Sequence, residues 1–282
     1  MSNFSFIEYS FDPLRLDPED IYSSLNRLGF VQRNLHESNQ SSMWTQNQCI
    51  MLLRETEHSD TPHVSGFGLV LDDDQVEFPQ DYFDEECGMY VTHDPNGLRI
   101  LSMPEKNLSK MISHGYQVID KKVYDTPGLE YFSGAVYNIH SNDILNFYQR
   151  IGFKFSKSSE KYDTLMSKNN RFTLLLSKYD NSSAVDVVYT DTSDVFRTTC
   201  CYAVAGFNFK NYTVDQSKLN FGSSLNYKIT GYNCAAFGNQ SSYTIENSVK
   251  EPVPNLDLIF RSRKQHLHIN EDIVDYHYAT AQ

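Results

Sequence analysis

Lysine and arginine are missing from residues 55–98. That stretch carries twelve of the 36 acids, which equals the whole formal charge of −12; the remaining 24 acids (36 − 12) match the 24 bases. A basic face is therefore lacking, which argues against nucleic acid or an anionic membrane as partner. No run of 18 apolar residues exists, so no membrane-spanning helix is expected. The opening Met1-Ser2-Asn3-Phe4 lacks the basic and apolar regions of a signal peptide. The five cysteines are odd in number and form no CxxC pair, which fits free thiols in a reducing, cytoplasmic setting. No GxSxG, P-loop, GxGxxG or HExxH motif occurs. Cys200-Cys201 lies in a helical pattern with no histidine nearby, so an activated thiol is not expected.

What is present is core material and a repeat. Apolar residues make up 40% and aromatics 13%, enough to exclude a disordered chain. A helix-like segment followed by glycine and an aromatic recurs at Leu28-Gly29-Phe30, His114-Gly115-Tyr116, Ile151-Gly152-Phe153 and Ala205-Gly206-Phe207. Glycine ends a helix at little cost by taking a left-handed conformation, and the aromatic pins the next strand to that helix.

The flanks of the repeat predict β-α-β-β-β units. In the first, strand 5–11 precedes a helix capped by Asp17 with Pro18 behind it, then strands 31–36, 43–48 and 49–54. The third has strand 132–139, helix 141–152, and strands 154–158, 163–167 and 171–177. The fourth has strand 185–190, helix 193–205, strand 207–213, and later strands 232–237 and 256–261 around a polar insertion, 238–254. The second is irregular: strand 64–71 runs into acidic Asp72–Glu86, then a hairpin turns at Asp94-Pro95-Asn96-Gly97, and a helix at 105–114 comes last. The prediction is an α+β chain with two domains, 1–125 and 126–282, each a pair of βαβββ units.

Phe147-Tyr148-Gln149-Arg150-Ile151-Gly152-Phe153 resembles the FY-x-x-x-LGF helix end of the vicinal oxygen chelate proteins, which include glyoxalases, bleomycin-resistance proteins and extradiol dioxygenases. Asp94-Pro95-Asn96-Gly97 resembles their DP-x-G turn, and four units resemble two-domain members such as 4-hydroxyphenylpyruvate dioxygenase. The resemblance implies two open-barrel domains, each cupping a pocket, and a divalent metal held by His or Glu on first and last strands. Those positions here fall on Ser133 or Gly134, Asp186, Asp257, Gly66, Met51–Leu52 and Thr173–Leu174, with no His or Glu among them.

No cofactor is therefore expected at the family's site. The function read from the sequence is a metal-free, non-catalytic glyoxalase-fold protein that binds a small ligand or a protein partner. Two alternatives stand beside it: a metal-dependent lyase or dioxygenase with displaced ligands, and a structural or regulatory subunit, with a homodimer among the possibilities. Asp186 and Asp257 are the candidate carboxylates of the pocket. Tyr137 and Tyr189 are its candidate aromatic walls, because alternate strand residues face the cup. His266, His268, Glu271 and His277 have ligand-type side chains, but Arg261, Arg263 and Lys264 beside them oppose a cation. Asp84, Glu85 and Glu86 are the candidate docking residues of the acidic block.

Overall fold

A computed structural model describes residues 2–33, 41–56, 62–71, 81–85, 89–104, 128–167, 171–179, 182, 184–192, 195–207, 209–211, 225–229, 232–236 and 246–262. Its first sheet contains β1 (Ser2–Phe11), β2 (Val31–Arg33), β3 (Ser41–Gln46), β4 (Cys49–Glu55), β5 (His63–Leu71), β6 (Tyr82–Asp84), β7 (Met89–His93) and β8 (Arg99–Pro104). Its second contains β9 (Leu129–Tyr137), β10 (Lys154–Ser158), β11 (Tyr162–Met166), β12 (Thr173–Ser177), β13 (Val185–Thr192), β14 (Phe209–Asn211), β17 (Glu246–Val253) and β18 (Leu256–Ser262). β15 (Leu225–Ile229) and β16 (Tyr232–Ala236) form a separate hairpin. The eight-stranded sheets run β2-β3-β4-β1-β5-β8-β7-β6 and β10-β11-β12-β9-β13-β18-β17-β14, so they correspond strand for strand. In each, a central antiparallel pair of first strands is flanked by parallel last strands: β1 pairs β5 and β4, and β9 pairs β13 and β12.

The helices α1 (Pro18–Leu28), α2 (Asn142–Arg150) and α3 (Val195–Val204) follow from local chemistry. Asp17 caps α1 by accepting from the Glu19 amide at 3.0 Å, and Ser141 caps α2 by accepting from the Ile144 amide at 3.1 Å. All three end alike. Gly29, Gly152 and Gly206 have φ of 92°, 105° and 90°. The amides of Phe30, Phe153 and Phe207 reach back to the carbonyls of Leu25, Tyr148 and Tyr202 at 2.9–3.0 Å. These are Schellman closures. The three phenylalanines are buried, each removing apolar surface worth about 1.5–3 kcal/mol. The fourth copy, at Gly115, lies outside the described residues, as does the predicted helix 105–114.

The second unit, irregular in sequence, keeps the strand order of the others. What differs is the link from first to second strand: residues 72–81 here, against 12–30 in the first unit. One expectation is corrected in the fourth unit: among the described residues, strand 232–237 does not join the main sheet, and β16 pairs with β15 alone. The place is taken by β17, inside the stretch read as a polar insertion. Its sequence, ENSVKEPV, has little apolar pattern, and it is a strand because β18 and β14 supply hydrogen-bonding neighbours on both sides. The proposed boundary near residues 124–128 falls within 105–127, outside the described residues apart from Gly128.

The helix-side faces of both sheets merge into one core with the three helices. Phe67 of the first sheet meets Phe172 of the second edge-on at 5.9 Å. The Tyr202 hydroxyl donates to the Leu28 carbonyl at 2.9 Å, and the Tyr9 hydroxyl to the Pro254 carbonyl at 2.6 Å. The Asp94 turn also crosses over. One Asp94 oxygen accepts from the amides of Asn96 and Leu98, and the other from the hydroxyls of Tyr137 (3.0 Å) and Tyr148 (3.3 Å). Burial holds the Asp94 carboxyl above its usual range despite these four donors.

Candidate ligand-binding cups

The faces away from the helices form two cups, lined by separate apolar clusters. The strand registers place equivalent residues in rows. In the first cup, neighbouring β1, β5 and β8 contribute Glu8, Gly66 and Arg99 side by side. In the second, β9, β13 and β18 contribute Val136, Val187 and Asp257. One row deeper lie Phe6, Gly68 and Leu101 in the first cup, and Gly134, Tyr189 and Ile259 in the second.

The first cup is filled from within. Arg99 Nη2 donates to Asp84 at 2.6 Å, and Nη1 lies 3.4 Å from Glu8 Oε1. Ser10 donates to Ser65, and Ser65 to Glu8, each at 2.7 Å. Burial raises the Glu8 carboxyl above its ordinary range, outweighing the Ser65 hydrogen bond and the Arg54 charge. Around this cluster pack Phe6, Met43, Met89 and Met103, none more than 1% exposed. The Phe6 ring occupies the space a Cβ on Gly68 would need. A guanidinium thus stands between two carboxylates where the resemblance implies a metal.

The second cup is different in kind. Val136, Tyr162, Leu175, Val187, Tyr189 and Ile259 line it, with no charged pair among them. Thr164, paired with Leu175, and Thr173, paired with Gly134, share this face. Ser133 is the extra residue of a β-bulge, because Tyr189 pairs with Gly134 and Thr190 with Phe132. The hydroxyls of Ser133, Thr164 and Thr173 are buried and have no hydrogen-bond partner among the described residues. Such orphans cost stability unless something completes them.

The predicted residues scatter. Asp257 is half-buried beside Val187 on the cup face, and Tyr189 lines the cup. Asp186 is the extra residue of a second bulge, between Val185 and Val187; its side chain lies outside the described residues. Val187, not Asp186, therefore occupies the cup row. Tyr137 is corrected: it faces the shared core and donates to Asp94, not into the cup. Asp84 is corrected too: it is buried on Arg99 and has no surface to offer a partner. Glu85 is exposed, while Glu86 and the segment 263–282 with its histidines lie outside the described residues. Glu8 and Arg99 were not singled out, although an acid in the middle of the apolar run Phe6–Phe11 was a readable signal.

Among the described residues no three His, Cys, Asp or Glu side chains come together to hold a metal ion. Among the described residues the donors of the second cup are Asp257, the neutral hydroxyls and, two places beyond Tyr189 on β13, Asp191, which already accepts from the Tyr131 hydroxyl at 2.8 Å; a set without His or Glu does not fit the metal the fold implies.

Strand order, paired units and curled sheets define the class: the two-domain, open-barrel fold of the vicinal oxygen chelate proteins, the fold of dioxygenases of the 4-hydroxyphenylpyruvate type. No family model matches the sequence, and no curated protein matches it. Solved structures do. A xylose isomerase-like TIM barrel/4-hydroxyphenylpyruvate dioxygenase fusion protein superposes on 98% of the chain with a TM-score of 0.70 at 14% identity. The chain spans only 51% of that protein's length. A triple mutant of 4-hydroxymandelate synthase from Streptomyces coelicolor superposes with a TM-score of 0.58 at 10% identity, over 98% of this chain and 99% of that one. At these identities the likeness is one of fold. No helix among the described residues is long and apolar enough to cross a membrane.

Proposed function

We propose that the chain is a metal-free, non-catalytic binding protein on a dioxygenase-type fold, and that its second cup is the binding site. The ligand is a small, partly apolar molecule carrying hydroxyl or carbonyl groups. One observation carries this reading: the buried hydroxyls of Thr164 and Thr173, and of Ser133 at the bulge beside Gly134, have no partner among the described residues, and the two threonines stand on a face otherwise built of Val136, Leu175, Val187, Tyr189 and Ile259. An apolar wall with a few convergent polar groups suits such a ligand. The first cup serves as scaffold, since its own side chains fill it.

The test is metal analysis of purified, untagged protein, together with a thermal-shift screen of small phenols and aromatic ketones. Substoichiometric metal and a raised melting temperature with a subset of these probes support the reading. Stoichiometric Fe, Zn, Ni or Mn, or chelator-sensitive turnover, overturns it. The competing reading is a metal-dependent dioxygenase with displaced ligands, favoured by the fold of the two solved relatives and by Asp257 on the cup row. Asp257→Ala separates the two: in that reading it abolishes metal binding, and in ours it changes only ligand affinity.

A further inference from the structure

The two sheets end on edges of opposite charge. β10 is an outer strand of the second sheet and β6 of the first, and among the described residues each pairs on one side only. β10 reads Lys154-Phe155-Ser156-Lys157-Ser158 and is exposed throughout, with Phe155 43% exposed. β6 is flanked by exposed Glu85 and by exposed Asp81, one oxygen of which accepts from Thr92 and the His93 amide on β7, and its Tyr82 and Phe83 are 45% and 51% exposed. Phe83 packs edge-on against Tyr90 at 5.1 Å, and Tyr82 stacks on His93 at 6.1 Å, so these rings form a ready platform. The edge belongs to the lysine- and arginine-free stretch that holds the chain's net charge.

An open strand edge is a template for another strand. Charge decides which one. Two β10 edges would set lysines against lysines, and two β6 edges would set acids against acids. Of the pairings between these two edges, β6 against β10 alone brings unlike charges together, and it also brings Phe155 to Tyr82 and Phe83; the other outer strands, β2 and β14, are three residues long with one cation each, Arg33 and Lys210. We propose that the β6 edge of one copy of this chain docks on the β10 edge of a second copy. The contact is head-to-tail. Every copy carries both edges, so the contact repeats into a ring or a filament rather than stopping at a two-fold dimer. This inference does not depend on what the second cup binds.

Sedimentation velocity of the full chain over a range of concentration and salt tests it. The average mass should rise with concentration at low salt and fall to that of one chain at high salt. Asp81→Lys with Glu85→Lys should leave single chains, and so should Lys154→Glu with Lys157→Glu. Mixing the two double variants should restore association, because each then offers the edge the other lacks. An unchanged circular dichroism spectrum and a cooperative melt of each variant exclude misfolding; the Asp81 variant melts lower because it loses the contacts to Thr92 and His93. A wild type that stays single at every concentration overturns the proposal. So does association that survives either reversal, or a mixture of folded variants that stays single.

Discussion

Replacing Arg99 by Met tests what fills the first cup. Arg99 is 8% exposed and sits 2.6 Å from Asp84 and 3.4 Å from Glu8. Methionine keeps much of the length and the apolar stem but leaves two carboxylates buried without a cation. Removing one partner of such a group costs about 3–5 kcal/mol. At roughly 2 °C per kcal/mol for a long chain, melting should fall by about 6–10 °C. The fall should appear in one transition, since both sheets share a core. The loss should shrink toward acid pH. A carboxyl whose folded pKa is raised binds protons more readily when folded, so stability drops as pH climbs through that raised value. Glu8 already behaves this way in the wild type because burial raises its pKa, and Glu8→Gln should flatten that component. The control is the triple variant Glu8→Leu, Asp84→Leu, Arg99→Met, which removes every charge at once and should melt within about 1–2 kcal/mol of wild type. Calorimetry or urea unfolding reads all of these. If Arg99→Met melts like wild type, the cluster is not a structural one. If the triple variant is as unstable as the single, lost packing rather than uncompensated charge is the cause.

Three further outcomes follow from named contacts. Asp94→Ala strips the acceptor from two tyrosine hydroxyls and two amides and should cost about 3 kcal/mol in urea unfolding, with Asp94→Asn costing less; an equal loss in both would mean that shape and one remaining acceptor contribute nothing and both carboxylate oxygens are needed. Thr164→Val and Thr173→Val remove hydroxyls without a partner among the described residues at nearly constant volume, so each should raise stability by up to about 1 kcal/mol while weakening ligand binding; a lowered melting temperature would show that these hydroxyls are already satisfied. Asp163 is partly desolvated, but hydrogen bonds from Ser158, Lys178 and His140 win and hold its carboxyl below the usual range. Its contribution is therefore present above the unfolded value and lost as pH falls through the folded one, and Asp163→Asn should remove that acid limb without changing the slope at neutral pH.

Much of the local structure was legible in the sequence. Asp17, Pro18 and Ser141 announce helix starts, and the glycine-aromatic pairs announce their ends, because those signals act within four or five residues of chain. The turn at Asp94-Pro95-Asn96-Gly97 is local in the same sense. Its second role is not: nothing near Asp94 reveals that Tyr137 and Tyr148, more than forty residues away, donate to its carboxylate.

The composition of the strands likewise showed that the units repeat, and it left Gly66, Asp186 and Asp257 rather than His or Glu at the positions counted as metal ligands, while Glu8 on β1 escaped that count. Which residue faces a cup was decided only in three dimensions. A β-bulge adds one residue and so reverses the alternation on which any sequence count depends. Bulges at Ser133 and Asp186 did so here, putting Val187 rather than Asp186 on the cup row. Asp84 shows the same dependence: in sequence it is one acid among twelve, and in the fold it is the one that meets Arg99. Chain-local signals fix where elements begin and end; the partner of a side chain is fixed by sheet register, which joins residues the sequence keeps apart.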